Sequence, residues 1–373
     1  MAPDFNSLAR VALAAVADRV VPGLAIGVGQ QGKTHLLAAY GQRQLEPEPL
    51  PATVDTVYDL ASLTKAVVTS LLVMKGIEAQ RLHLDRPLGD DLTMLADRPT
   101  VTLRRVLAHA GGFPAHRKFY ESLFAEGGPA PVHRAAVIER AAAEPLVYSP
   151  GAKSIYSDLG FILLGALVEK CMAARLDVLA ERMLFRPLGL SRTGFVELPG
   201  GPGWIRSAEV APTERCPVRG RLVLGEVHDL NAYAMGGIAG HAGLFGSIGD
   251  LLQLACALCA AYHGRPWAGA APLVKPEILR ELWQPAGIPG STWRLGWDGP
   301  ALQGSLAGSL LSRRAVGHLS FTGCSLWIDP EQEVCVAVLC NRIHPEVTDD
   351  PRFRVLRATL NDEALRAIGH EPR

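Results

Sequence analysis

YDLASLTKAVVTSLLVM, residues 58–74, contains the chain's one S-x-x-K, at Ser62-Leu63-Thr64-Lys65. The apolar run AVVTSLLVM predicts a buried helix, and Ser62 sits where that helix starts. Residues three apart share one face of a helical turn, so the Lys65 amine lies within reach of the Ser62 hydroxyl. The hydroxyl also sits near the positive end of the helix dipole. A nucleophilic serine needs such a neighbour to take its proton. Taken alone, the tetrapeptide is better explained by a helix-capping serine followed by an exposed lysine.

Working outward, the N-terminal side predicts a helix over 5–20, from Leu8, Val11, Ala12, Ala15 and Val16, ended by Pro22-Gly23. LAIGV (24–28) and THLLAAY (34–40) flank a Gly-rich turn and predict a β-hairpin. Residues 41–55, with Pro47, Pro49 and Pro51, predict a loop. A mostly helical pattern follows to about residue 195, interrupted at Pro87, Gly111-Gly112, Gly127-Gly128-Pro129 and Ser149-Pro150-Gly151. Residues 196–235 carry no assignable pattern, and AYAMGGIAGHAGLFG (232–246) is a small-residue segment leading to a helix over 251–262. HLSFTGCSLWID (318–329) predicts a strand that turns at Pro330–Glu333 and returns as VCVAVLCN (334–341), before a last helix near 353–368. Strands at both ends with helices between predict an α/β (α+β) chain. One sheet domain, 1–61 and 240–373, is built from both termini, and a mostly helical domain, 62–239, is inserted into it.

The 373 residues correspond to about two domains at ~150 residues each. Hydrophobic residues make up 48% and charged residues 20%, a balance that excludes disorder for most of the chain. Lys+Arg and Asp+Glu are equal at 37, and no basic run is present, so neither nucleic acid nor an anionic membrane is an expected partner. No apolar run is long enough to span a bilayer, and the N-terminus, broken by Asp4, Arg10, Asp18 and Arg19, lacks a signal-peptide pattern. Seven scattered cysteines suit a reducing compartment, so the cytoplasm is the expected location.

Three further motifs invite a functional reading. Gly27-Val28-Gly29-Gln30-Gln31-Gly32-Lys33-Thr34 spells G-x-x-x-x-G-K-[ST] in full. A phosphate loop must open a helix, however, and the prolines that follow leave no room for one. A hairpin turn is therefore expected, with a P-loop nucleotide-binding protein through Gly27–Thr34 as the remote alternative. Tyr156-Ser157-Asp158 precedes the helical run GFILLGALVEK, for which Asp158 is a natural N-cap. His318-Leu319-Ser320 lies in a strand pattern whose alternation places His318, Ser320 and Thr322 on one face. Cys256-x-x-Cys259 lacks the second pair a zinc site needs. His109, His116, His228 and His241 fall in loop-like stretches, where structural roles are expected, some of them lining a cleft. Asp90-Asp91 and Asp349-Asp350 read as solvated turns.

In combination, S-x-x-K at 62–65, Tyr-x-Asp at 156–158 and His-Leu-Ser at 318–320 resemble the serine β-lactamase and penicillin-binding-protein superfamily. The class C β-lactamase-like branch, with its family VIII esterases and D-amino-acid-peptide hydrolases, is the nearest. PGLAIGV, LRRVLAHAGGFPAH, SPGAKSIYSDLGFILLGALVE, GHAGLFGSIGDL and GHLSFTGCSLWIDP are similar to that family's segments, and together they span most of 20–345. No G-x-S-x-G elbow is present, which disfavours an α/β-hydrolase. The resemblance implies an antiparallel sheet flanked by helices, an all-helical domain, and an active site in the cleft between them. It implies Ser62 as nucleophile, Lys65 and Tyr156 as its bases, and the backbone N–H groups of Ser62 and Phe321 as oxyanion hole. Asp158, His318 and Ser320 would bind substrate, with no metal or organic cofactor. The implied activity is a serine hydrolase acting on a small-molecule ester, amide or peptide substrate. A non-catalytic member that binds ligand in the cleft is the alternative.

Three positions depart from the class C pattern, which has Asn at 158, Lys at 318 and Gly at 320. A carboxylate at 158 favours the ammonium form of Lys65 and shifts weight to Tyr156. A histidine with an ordinary pKa of ~6.5 at position 318 is no fixed cation, and would charge only near pH ~6. Ser320 places a side chain where glycine allows close approach. All three argue against efficient β-lactam hydrolysis and leave esters and amides open.

Overall fold

The hairpin expected at the N-terminus is the middle of the main sheet. In the computed structural model, which describes residues 3–125, 127–200, 204 and 209–371, strands β1 (Gly23–Gln30) and β2 (Lys33–Gln44) are joined by Gln31-Gly32. Both turn residues have positive φ, 51° and 75°, as a tight two-residue hairpin requires. The phosphate-loop spelling is thus a β-turn, with Lys33 opening a strand instead of a helix. The remaining strands are β3 (Leu50–Pro51), β4 (Val57–Asp59), β5 (Thr193–Phe195), β6 (Arg215–Cys216), β7 (Arg221–Leu222), β8 (Leu244–Ser247), β9 (Val316–Leu319), β10 (Ser325–Asp329) and β11 (Val334–Cys340). Six form an antiparallel sheet in the order β3-β2-β1-β11-β10-β9, so strands from both ends of the chain meet at β1 and β11.

Strand periodicity sorts the two faces of this sheet. Leu24, Ile26 and Val28 of β1 and Val334, Val336 and Val338 of β11 pack with residues of the first and last helices, Asn6–Ala17 and Arg352–Ala367. Ala25 of β1 and Cys335, Ala337 and Leu339 of β11 face the larger core around the helix Ile248–Tyr262. The small residues on this face allow the helix to lie close: a Cβ on Gly27 would already be 3.3 Å from Leu252. All seven cysteines are free thiols, six of them buried. Of the segment 196–235, residues 201–203 and 205–208 lie outside those described.

Two sequence expectations are corrected here. The small-residue segment 232–246 contains β8, the centre of a second sheet, β4-β8-β5. It pairs Asp59 with Phe245 and so fixes the chain just ahead of Ser62. The single strand expected over 318–329 is two antiparallel strands, β9 and β10, joined by a turn at 320–324. His318, Ser320 and Thr322 therefore do not share a strand face.

The segment between the helix starting at Leu230 and β8 makes a close backbone approach to the helix Asp158–Met172. A Cβ on Gly240 would sit 2.2 Å from the Phe161 carbonyl oxygen and 2.8 Å from the Gly165 Cα. Main chain cannot yield as a flexible side chain does, so Gly240→Ala is expected to destabilise the protein by about 1–3 kcal/mol. Urea unfolding measures this, and a midpoint equal to wild type contradicts the packing argument.

Candidate active site

Ser62 lies between β4 and the buried helical segment that starts at Leu63, whose turns over Lys65–Ser70 are of the wide π type. The Ser70 hydroxyl donates to the Lys65 carbonyl at 2.7 Å, one residue further back than an α-helical contact. Wide turns of this type are frequent at functional sites. Thr69 on the same segment donates to the Gly240 carbonyl at 2.6 Å, which ties the segment to the glycine contact described above.

The Lys65 side chain is fully buried, and each of its N–H donors has a partner. Nζ lies 3.2 Å from Ser62 Oγ, 2.8 Å from the His241 carbonyl oxygen and 2.8 Å from Asp158 Oδ1. Burial by itself would lower the Lys65 pKa, but Asp158 and Tyr156 reverse this and leave it raised. Conversely, burial disfavours the Asp158 carboxylate, while Lys65 and His116 hold its pKa well below the usual carboxylate range. The resting pair is thus ammonium and carboxylate, with Ser62 Oγ accepting from the ammonium. Tyr156 lies beside them, its ring centroid 5.0 Å from Lys65 Nζ. Burial raises its phenol pKa, and Lys65 pulls it partly back.

Asp158 is not the helix cap. Ser157 takes that role, its Oγ accepting from the Gly160 N–H at 3.2 Å and donating to the Pro114 carbonyl at 2.7 Å. The Asp158 carboxylate is free to turn to Lys65 as a result, and its second oxygen meets His116 Nδ1 at 3.1 Å. That bond raises the His116 pKa. His241 supplies a carbonyl to Lys65, while its ring meets Asp229 Oδ1 at 2.9 Å. His109, fully buried, accepts the Ser157 N–H at Nδ1 (3.0 Å) and packs on Tyr156 with ring centroids 4.7 Å apart. His116 and His241 are thus part of the charge network, which their loop-like sequence surroundings did not reveal. The adjacency of Gly240 to His241 was the available signal.

Ser62, Tyr156, Asp158, His116, His228, His241 and Phe321 line a cavity of about 480 Å³, together with Glu214 and Asp229. Its described lining contains three carboxylates and no Lys or Arg. The Ser62 and Phe321 amides donate to no protein acceptor among the described residues, and Phe321 is exposed at the rim, its ring stacked on His228 at 5.4 Å. His318 and Ser320 are buried and absent from the described lining. Ser320 Oγ lies 2.9 Å from Thr322 Oγ1. No group of three or more His, Cys, Asp or Glu among the described residues is arranged to hold a metal ion, and no described helix is long and apolar enough to cross a membrane.

His318 corrects the expectation that it gains charge near pH 6. Its Nδ1 sits 2.8 Å from the Leu319 carbonyl oxygen, which makes Nδ1 the protonated nitrogen. Burial, reinforced by Lys65, pushes its pKa down to about 3. Ring NMR shifts of His318 are expected to stay constant from pH 8 to pH 5, with the proton on Nδ1. A titration centred near pH 6 contradicts this.

The chain matches the family model described as Beta-lactamase over residues 8–361. It is 33% identical over 329 residues to a provisionally named D-alanyl-D-alanine carboxypeptidase of Escherichia coli (strain K12), covering 83% of this chain and 74% of that protein. Among solved structures it resembles EstCE1, a hydrolase with promiscuous acyltransferase activity. That match has a TM-score of 0.74 and 21% identity, and covers 96% of this chain and 99% of the other. It also resembles the octameric penicillin-binding protein homologue from Pyrococcus abyssi, with a TM-score of 0.71, 23% identity, and 95% and 76% covered. At these identities the structural matches speak to the fold.

Proposed function

From the premise that the chain belongs to the β-lactamase family, we propose that it is a serine hydrolase that forms an acyl-enzyme on Ser62. Its substrates are small esters or amides, including peptides. The observation that carries the reading is the contact of the Lys65 ammonium with Ser62 Oγ, beside Tyr156 at the floor of an open cavity. The site lies between the unit formed by 1–61 and 240–373 and the inserted unit 62–239.

In acylation, Ser62 Oγ attacks the substrate carbonyl carbon. Its proton passes into the Lys65–Tyr156 pair and on to the leaving alcohol or amine as the C–O or C–N bond breaks. The Ser62 and Phe321 N–H groups, which have no protein acceptor among the described residues, take the developing oxyanion. Water then attacks the acyl carbon and gives a proton to the same pair, which passes it to Ser62 Oγ as the C–Oγ bond breaks and the acid leaves. At rest Lys65 is an ammonium and Tyr156 a phenol, so neither is a base; the competent form is the pair with one proton fewer. Lys65 and Tyr156 titrate as one unit, not as two private groups.

The polar walls favour neutral substrates. His318, which lies outside the described lining, is uncharged at neutral pH, Lys65 and His116 are both paired with Asp158, and the described lining adds Glu214 and Asp229 without a Lys or Arg. Nothing there is arranged to hold the carboxylate of a β-lactam.

Intact-mass spectrometry after incubation with p-nitrophenyl esters, β-lactams and D-Ala peptides tests the reading. A mass increment of one acyl group is expected with the esters, and Ser62→Ala is expected to lose both the increment and ester hydrolysis. Hydrolysis retained in the purified variant rejects Ser62 as nucleophile.

Asp158→Asn removes the charge that holds the proton on Lys65, so the pair reaches its competent form at lower pH. The acidic limb of the kcat/KM profile is therefore expected to move to lower pH. An unchanged limb, or one moved upward, counts against the relay.

A further inference from the structure

Asp59 is a buried carboxylate that the reaction above does not use. It closes β4 three residues before Ser62 and is 2% exposed. Main-chain amides hold both of its oxygens: Oδ1 accepts from the Ala61 N–H at 2.8 Å and Oδ2 from the His228 N–H at 2.7 Å. Its own carbonyl oxygen accepts from Thr322 Oγ1 at 2.8 Å. Three segments that are distant in sequence thus converge on this one residue.

What its side chain holds is strained. Ala61 has φ of 44°, a left-handed conformation that a Cβ disfavours. Non-glycine residues persist there when their surroundings over-determine them, and such positions cluster at functional sites. On one side of Ala61 the Asp59 carboxylate fixes its N–H. On the other, its carbonyl accepts from the Thr64 N–H at 3.0 Å and from Thr64 Oγ1 at 2.6 Å. The peptide between these anchors carries the Ser62 N–H and sets where Ser62 Oγ points. The Thr322 hydroxyl, one residue past Phe321, fixes the second amide against the same Asp59. His228, whose amide Asp59 holds, stacks on the Phe321 ring.

We propose that Asp59 is a positioning residue that holds the Ser62 and Phe321 amides in register with the nucleophile. Its carboxylate keeps Ala61 in the left-handed conformation, and its main-chain carbonyl anchors the 320–324 turn through Thr322. The carboxylate is the suited group because it accepts from two N–H donors at once, one per oxygen. Burial pushes its pKa up, and the two amides pull it back. This inference rests on the reading of Ser62 as nucleophile.

The test measures the rate of Ser62 acylation by a p-nitrophenyl ester, with the label mapped by peptide mass. KM and the thermal midpoint are recorded for each variant. Asp59→Ala is expected to slow acylation by about 100-fold while KM stays within about 3-fold, since misplacement of reacting groups by ~1 Å costs that much. Adding Ala61→Gly to Asp59→Ala is expected to restore at least ~10-fold, because glycine adopts positive φ without a tether. A merely structural role predicts no such rescue. Thr322→Val, which is isosteric and leaves the carboxylate untouched, is expected to slow acylation by about 10-fold with KM unchanged. A folded Asp59→Ala within about 3-fold of wild type, no recovery in the double variant, or Thr322→Val within about 3-fold of wild type overturns the proposal. If Asp59→Ala does not fold, the Thr322→Val result decides. A wild type unlabelled at Ser62 overturns the nucleophile reading along with this one, whereas a labelled wild type with unaffected variants overturns this one alone.

Discussion

A lysine ammonium with no exposure to solvent must find a partner for every N–H and a counter-charge for the whole group. Lys65 meets this demand with Ser62 Oγ, the His241 carbonyl and the Asp158 carboxylate. Each partner comes from a different part of the chain, and each is delivered by its own device. Ser62 arrives by helical spacing. Asp158 arrives because Ser157 has taken over the capping of its helix. The His241 carbonyl arrives because Gly240 lets its segment lie against the backbone at Phe161 and Gly165. Removing one partner of such a buried pair costs about 3–5 kcal/mol, because the charge that remains is uncompensated. The ammonium therefore organises the site before any substrate enters.

The same pairing has a chemical consequence. Asp158 stabilises the lysine proton, and His116 in turn shares the Asp158 carboxylate. A neutral amide side chain at 158 would leave the lysine closer to losing its proton. Here the proton is held more tightly, so in the proposed mechanism deprotonation has to be shared with Tyr156, whose phenol burial makes a reluctant acid.

How much of this was legible depended on range. The Ser62–Lys65 contact is local: spacing put the two side chains within reach, and the accompanying motifs chose that reading over a capping serine with an exposed lysine. The hairpin at Gln31-Gly32 could be told from a phosphate loop because the residues after it cannot make a helix. Long-range partners left no pattern: His116 meets a residue 42 positions away, and the His241 carbonyl meets one 176 positions away. Strand β8 was hidden because LFGS, flanked by glycine, has neither alternation nor β-branched residues. The run 318–329 read as one strand because Leu319 and Phe321 alternate with His318, Ser320 and Thr322 and an apolar stretch follows at 326–328. The break was signalled only by Gly323, whose φ is 115°. Departures at 158 and 318 were visible as letters, but their effects needed the burial of each group. Burial is what keeps His318 neutral, behind the described lining, where the letter alone suggested a switch near neutral pH.

That neutrality also constrains how the proposed site distinguishes substrates. A cation on the third strand would attract a carboxylate on the substrate and hold it against the nucleophile. Here the Lys65 ammonium and the His116 ring are both paired with Asp158, and Glu214 and Asp229 add two further carboxylates to the described lining. An anionic substrate would have to lose its hydration and gain no partner, a cost that a neutral acyl group does not incur. Selection in the proposed hydrolase therefore works by exclusion of negative charge, with hydrophobic contact from Tyr120, Leu230 and Val347 on the cavity wall left to grip the acyl chain. Such contact discriminates weakly, by ~1–3 kcal/mol per methylene. A broad range of small neutral acyl groups is the physical outcome of this wall.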